Sequence, residues 1–260
     1  MRLRWTVMVL VLLLMEIFYQ KTIFSSSATS EKKNVTGIQP GERLKYSINW
    51  MGTNAGMAIL EVGYPVTLES GRAVQIFSNA RSNDFISRFF PVEDRVVTYM
   101  DMDKLLPLKS KISQTEGSRF KNREMQFDRI HHKVREIEEK KETTYDIDPQ
   151  AQDSLSVLYY FRTLDFPPPG NSVFLKVYEG GKNWDLEIKI LGNENVDTMI
   201  GNFDTIKTVV MARFEGIFLN KGDITIWFTN DNRHIPVQMK SQVIIGSVTV
   251  KLVSEENEIE

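Results

Sequence analysis

The chain contains no cysteine. That excludes disulfides, thiolate metal sites, a cysteine nucleophile and a lipidated N-terminal cysteine. Histidine is almost as scarce, with His131, His132 and His234 the full set. A metal site would need these gathered with a carboxylate. Neighbouring residues on an extended strand point to opposite faces, so His131 and His132 do not readily chelate together. Charge of one sign is also missing: 32 Lys and Arg stand against 34 Asp and Glu, for a net charge of -2. No basic excess exists to hold a polyanion, and nucleic acid is not expected as a partner. Neither a Gly-rich phosphate loop nor a Gly-x-Ser-x-Gly elbow occurs. Asp101-Met102-Asp103 lacks the Gly-punctuated loop of a calcium site and reads as a hairpin turn. Ser154 and Ser156 fall at a predicted helix start, where serine is usually structural. No catalytic residue, metal ligand or cofactor is expected, and the chain is read as a non-enzyme.

What is present is the ordinary balance of a folded protein, 42% hydrophobic and 25% charged residues over 260 positions. The first residues carry Arg2 and Arg4 ahead of an apolar run from Trp5 to Met15. That is the layout of a secretory signal, with Ser25-Ser26-Ser27-Ala28 as a small-residue cleavage region. Ile17-Phe18-Tyr19 lengthens the run beyond Glu16, so residues 1–28 are a signal peptide or an N-terminal membrane anchor. A spanning helix wants about 20 apolar residues, and Glu16, Gln20 and Lys21 interrupt this one. Either reading exports the rest of the chain, to the periplasm or the periplasmic face of the inner membrane. Residues 29–40 are a polar linker, 41–254 a single domain and 255–260 a polar tail.

From Gly41 onward, apolar and polar residues alternate with period two between turns rich in Gly, Asn, Asp and Pro. Leu44, Tyr46, Ile48 and Trp50 form one such stripe; Ala58, Leu60, Val62 and Tyr64 form the next. Near the C-terminus Ile224, Ile226 and Phe228 alternate, then Val248, Val250 and Leu252. The fold is expected to be mainly β: a curved antiparallel meander forming a half-barrel or open barrel. The mixed-sign run Lys133–Glu142 reads as a solvated edge strand or exposed turn. A short helical turn is expected around Asp84–Phe90. One longer helix is predicted over Asp148–Leu164, with Asp148 as N-cap, Pro149 at the first helical position and Pro167-Pro168-Pro169-Gly170 ending it. Its second half is apolar nearly all round, so it belongs buried on the concave face of the sheet. Tyr159 and Phe161 lie about 200° apart on that helix, so one is expected on the sheet and the other toward a lid or cavity mouth.

Several short motifs, in order along the chain, carry a family resemblance. They are Gly41-Glu42-Arg43-Leu44-Lys45-Tyr46, Gly56, Asp94, Asp153-Ser154-Leu155-Ser156 with Tyr159-Tyr160-Phe161-Arg162, Gly201-Asn202-Phe203-Asp204-Thr205, and Trp227 with Asp231, Pro236 and Gly246. Over Gly41 to Leu252 the chain resembles the bacterial domain of unknown function 3108. The resemblance implies an envelope protein and carries no catalytic residues. The architecture is also similar to the half-barrel lipoprotein carriers of the periplasm, as an analogy of fold only. The expected function is a binding or carrier module for an apolar small molecule or lipid, with Trp50, Tyr159, Phe161 and Trp227 as lining. Alternatives are a structural or assembly factor for another envelope protein, and a hydrolase of envelope polymers. Membrane contact is expected through the N-terminal segment. Cell fractionation checks the export reading. The protein is expected outside the cytoplasm, starting near Thr29 if cleaved, and full-length chain in the soluble cytoplasmic fraction would contradict it.

Overall fold

A computed structural model describes residues 37–214, 217–218, 223–243 and 246–257. The expectations for the N-terminal segment therefore lie outside the described residues, as does the linker up to residue 36. The first arm of the fold is a meander of eight strands: β1 (Glu42–Trp50), β2 (Thr53–Leu68), β3 (Gly71–Ser82), β4 (Val92–Asp101), β5 (Pro107–Glu116), β6 (Arg119–Asp128), β7 (Lys133–Glu138) and β8 (Lys141–Asp146). A short helix, α1 (Asp84–Ser87), joins β3 to β4, and α2 (Ser156–Arg162) follows β8. The second arm is β9 (Ser172–Glu179), β10 (Lys182–Thr198), β11 (Gly201–Phe214), β12 (Ile217–Phe218), β13 (Ile224–Thr229), β14 (Pro236–Gln242) and β15 (Ser247–Asn257).

All ladders are antiparallel, and the strand order is β8-β7-β6-β5-β4-β3-β2-β1-β15-β14-β13-β11-β10-β9, with β12 beside β11. The two arms thus meet in the middle of the sheet, where β1 pairs with β15. The outer strands β8 and β9 share no ladder, so the sheet is open and barrel-like. The connecting segment fills the gap between them. Gln152 accepts from the Tyr178 amide and donates its own amide to Lys176 O, both at 2.8 Å. Tyr145 meets Tyr178 with ring centroids 6.1 Å apart. Arg123 of β6 reaches across to Glu179 of β9, and the Tyr178 hydroxyl donates to Glu136 at 2.8 Å.

The period-two stripes define the inner face. Leu44, Tyr46 and Ile48 of β1, Ala58 and Leu60 of β2 and Val248, Val250 and Leu252 of β15 are all buried in one core cluster. The expected β-rich fold with one buried helix is what forms. The helix itself is shorter than predicted and starts later. Asp148 caps only a turn, accepting from the Gln150 amide at 2.8 Å. The residues after it are diverted to pair with β9, so helical geometry cannot begin at Pro149. The start is set by Asp153 and Ser156, which cap each other: Asp153 Oδ1 accepts from the Ser156 amide at 2.6 Å, and Ser156 Oγ accepts from the Asp153 amide at 2.9 Å. The domain boundaries also differ. Ile38 is buried in the core, and Glu255–Asn257 continue β15 opposite Glu42–Leu44 instead of forming a tail. Charge pairing holds these polar residues in the strand, with Glu255 on Arg233 and Glu256 on Arg43 and Lys45.

Arg162, at the end of α2, and Glu42, at the start of β1, form a fully buried bidentate pair with both N–O distances 2.7 Å. Arg162 Nε also donates to Arg233 O at 3.2 Å, and its guanidinium lies 5.1 Å from the Tyr159 ring. Removing one partner leaves the other charge buried and unpaired, which costs about 3–5 kcal/mol. Arg162→Ala is therefore expected to destabilise by about that amount. Denaturant titration checks it; a change below about 1 kcal/mol would mean the pair is solvated.

Candidate functional site

The four aromatic residues expected to line a ligand do not converge. Tyr159 is buried against the Glu42–Arg162 pair. Phe161 is equally buried but on the other side of α2, stacked on Phe166 at 4.4 Å and tilted on Phe228 at 5.4 Å. Neither faces a mouth, because the curled sheet clasps the helix on both sides. Trp227 belongs to a separate small cluster with Val196 and Val237, on the face of β13 opposite Ile226. Trp50 is half-buried at the far end of β1. His131 pairs with Asp128 on the surface at 2.7 Å. His234 stacks on Phe166 with centroids 4.0 Å apart and donates Nδ1–H to Arg162 O at 2.9 Å. Burial lowers its pKa. Among the described residues no group of three or more His, Asp or Glu gathers as metal ligands would.

The inner face of β4 and β5 carries a polar ladder. Thr98 and Ser110, opposite each other in register, both donate to Asp153 Oδ2, the first at 2.8 Å. This ties the start of α2 to the sheet. Arg129 lies beside it, donating to Pro107 O at 2.7 Å and Ala151 O at 3.0 Å, with its pKa pulled down to about 10 by burial. Two rungs further, Asp94 and Gln114 face each other across the ladder. Both are more than nine-tenths buried, yet neither Asp94 oxygen nor the Gln114 Nε2 has a hydrogen-bond partner of ordinary geometry. Burial, aided by the Glu116 carboxylate, pushes the Asp94 pKa up to about 7.

A cavity of ligand dimensions lies on the outer face. A groove of about 600 Å³ runs across β4–β7. The ladder register puts Val97, Lys111, Glu124 and Ile137 in one row along it and Arg95, Ser113 and Asn122 in the next. Phe120 and the β7–β8 turn, with Glu139 and Lys140, wall it at one end of these strands. Both turn residues have positive φ, 47° and 72°, as a tight primed hairpin turn requires. The groove thus combines outward apolar residues (Val97, Ile137 and Phe120) with cations at Arg95, Lys111 and Lys140. Glu124 is already engaged by Lys109 at 2.7 Å. The alternation rule for the sequence does not select these positions, since it searches for apolar residues on the inner stripe. The available signal was apolar residues in outward slots, Val97 beside inward Val96 and Ile137 beside Glu136.

These features define a non-closing, barrel-like antiparallel sheet around a short plug helix. The chain belongs to the family described as protein of unknown function DUF3108, whose model matches residues 45–253. Its fold is similar to that of a β-barrel-like protein of domain of unknown function DUF1849 from Brucella abortus, at 10% identity and TM-score 0.57, over 85% of this chain and 99% of that one. Weaker likenesses are to a protein from Bacteroides fragilis described as exported with a YmcC-like fold (12% identity, 84% and 96% covered, TM-score 0.37) and to one from Parabacteroides distasonis described as a lipoprotein (10% identity, 86% and 99% covered, TM-score 0.38). No curated protein matches the chain significantly.

The raised Asp94 pKa has a thermodynamic consequence. Because the folded-state value of about 7 exceeds the ordinary aspartate value of about 3.9, folding takes up a proton between those pH values and stability falls as pH rises through them. The loss is at most about 4 kcal/mol. Asp94→Asn is expected to gain stability over the parent at pH 8 and to gain nothing below pH 4. Thermal unfolding against pH checks this, and parallel curves would refute it.

Proposed function

We propose that this protein is a non-catalytic envelope protein that binds an apolar or lipid-like ligand in the outer groove of β4–β7. The observation that carries the reading is the groove itself: a volume of about 600 Å³, with outward apolar residues and cations. That volume lies within the usual range for small-molecule sites. Val97, Ile137 and Phe120 suit an acyl chain, and Arg95, Lys111 and Lys140 suit an acidic head group. The barrel interior is already occupied by the chain's own Tyr159, Phe161 and Phe228, so an interior ligand would have to displace core. Two other buried carboxylates are committed to structural partners, Glu42 to Arg162 and Asp153 to Thr98 and Ser110. Export to the periplasm is supported by Arg2, Arg4 and the apolar run from Trp5 to Met15.

Assembly by strand addition draws less support. The edge strand β8 is short and charged, Lys-Glu-Thr-Thr-Tyr-Asp, which is how sheets blunt their edges. Native mass spectrometry of gently purified protein tests the groove. A bound amphiphile is expected on the parent. Val97→Glu combined with Ile137→Glu is expected to weaken its binding roughly a hundredfold or more, because a carboxylate is placed on each apolar contact, with the fold kept. No bound amphiphile on the parent, or unchanged binding in the double variant, would refute the site.

A further inference from the structure

We infer that the end of the barrel carrying α1 and the β5–β6 hairpin docks on an anionic lipid surface, with Phe85, Phe89 and Phe120 entering the interface and Arg81, Arg88 and Arg119 meeting lipid phosphates. The inference goes beyond groove binding and stands without it. Its basis is an exposed aromatic cluster that is rigidly built. Helix α1 has four residues and none is buried. Phe85 and Phe89 are 62% and 77% exposed and touch edge to face with centroids 5.7 Å apart. Phe120, at the start of β6, is 60% exposed.

A helix that buries nothing has no core packing to hold it, and this one is held by polar contacts on both sides. Asn83 Oδ1 accepts from the Ile86 amide at 2.9 Å and caps α1; Asn83 Nδ2 donates to Asn54 O at 2.8 Å, fixing it to the β1–β2 hairpin. On the other side the Gly117 amide donates to Pro91 O at 2.8 Å. Gly117 has φ +60°, and a Cβ there would lie 2.8 Å from the Phe90 ring, so only glycine lets the β5–β6 turn seat against Phe90. Two hairpins therefore clamp the segment that presents Phe85 and Phe89 to water. Soluble proteins seldom keep large aromatic side chains together in water without a partner.

Charge identifies the partner. Arg81, Arg88 and Arg119 are exposed and have no ion-pair partner among the described residues, on a chain whose net charge is -2. Arg95 adds a fourth cation, while Asp84 and Glu93 are the exposed acids beside them. Aromatic side chains ringed by unpaired arginines are the composition that binds the interface of anionic bilayers. The described chain begins at the opposite end of the barrel, where a Cβ on Gly37 would lie 2.6 Å from Arg162 O. The nine residues of β1 separate that end from the mouth, roughly 30 Å at 3.3 Å per residue.

Because the chain has no cysteine, one introduced thiol reports from one place. In the full chain, F89C labelled with the environment-sensitive dye NBD is mixed with vesicles of equal parts phosphatidylglycerol and phosphatidylcholine. The dye is expected to brighten and shift to the blue with these vesicles and not with pure phosphatidylcholine. The same label on I130C, 85% exposed at the β6–β7 turn of the opposite end, is expected to stay water-like. Neutralising Arg88→Gln and Arg119→Gln is expected to weaken partitioning roughly fivefold each, the contribution of one basic residue near an anionic surface. A water-like dye at F89C in vesicles overturns the inference. So does an equal response at I130C, which would report tethering through the N-terminal segment alone. A blue-shifted dye before vesicles are added also overturns it, since the cluster would then be covered by residues 1–36, a second copy or another protein. The V97E/I137E variant separates the two readings: it should lose the groove ligand while keeping the F89C response.

Discussion

The Glu42–Arg162 pair is the constraint on which the rest of the architecture depends. It joins the first strand of the sheet to the last turn of the helix that fills the barrel, 120 residues apart in sequence. The same arginine serves three further contacts. Its Nε donates to Arg233 O, its carbonyl accepts from His234 Nδ1, and its ring-side face meets Tyr159. Gly37 packs on that carbonyl as well. One residue thus fixes the helix to β1, to the β13–β14 turn and to the segment entering the domain. A buried charge pair stabilises little in net terms, because desolvation offsets much of the attraction. What this one specifies is position: only one placement of α2 satisfies both ions. At the helix start, Asp153 does the equivalent for β4 and β5 through Thr98 and Ser110. Pinned at both ends, α2 spans the interior from the middle of the first arm to the centre of the sheet.

This pinning explains what was legible in the sequence and what was not. Strand positions follow from period-two alternation, a local property, and the stripes in β1, β2, β13 and β15 are read directly from it. The pairing of β1 with β15 has no local signature, since it joins residues about 200 positions apart. The helix start was obscured by a competing local signal. Asp148-Pro149 looks like an N-cap and first position, yet Gln152 is recruited to β9 and only the Asp153–Ser156 box can begin the turn. That box uses serine where glutamate or glutamine is the usual second member. The burial of both Tyr159 and Phe161 follows from an enclosure that helix periodicity does not reveal: the wheel separates their directions, but wall stands on each side.

The groove was missed for a related reason. Sequence patterning assigns apolar residues to a core, so Val97 and Ile137 read as lapses in the alternation of β4 and β7. Register gives them a joint meaning, because Val97, Lys111, Glu124 and Ile137 lie in one row across four strands. Apolar residues in outward slots of adjacent strands make a surface that one strand alone does not show.

The protein therefore keeps its interior for stability and puts its unused apolar surface outside. Inside, aromatic rings and paired ions occupy the barrel, and Asp94 is a carboxylate of the inner ladder without a hydrogen-bond partner of ordinary geometry among the described residues. Its position is two rungs beyond the Asp153 anchor, toward the end where α1 and the β5–β6 hairpin meet. Outside, the groove and the aromatic cluster share Phe120, which walls the groove and stands beside the clamped α1 segment. Between Phe120 and the Val97 row the outer face carries Arg95, Ser113 and Asn122, so a polar row separates the end of the sheet from the apolar part of the groove. The groove is built from ladder positions, which keep their spacing, whereas a site built from loops would have to be ordered with every binding event.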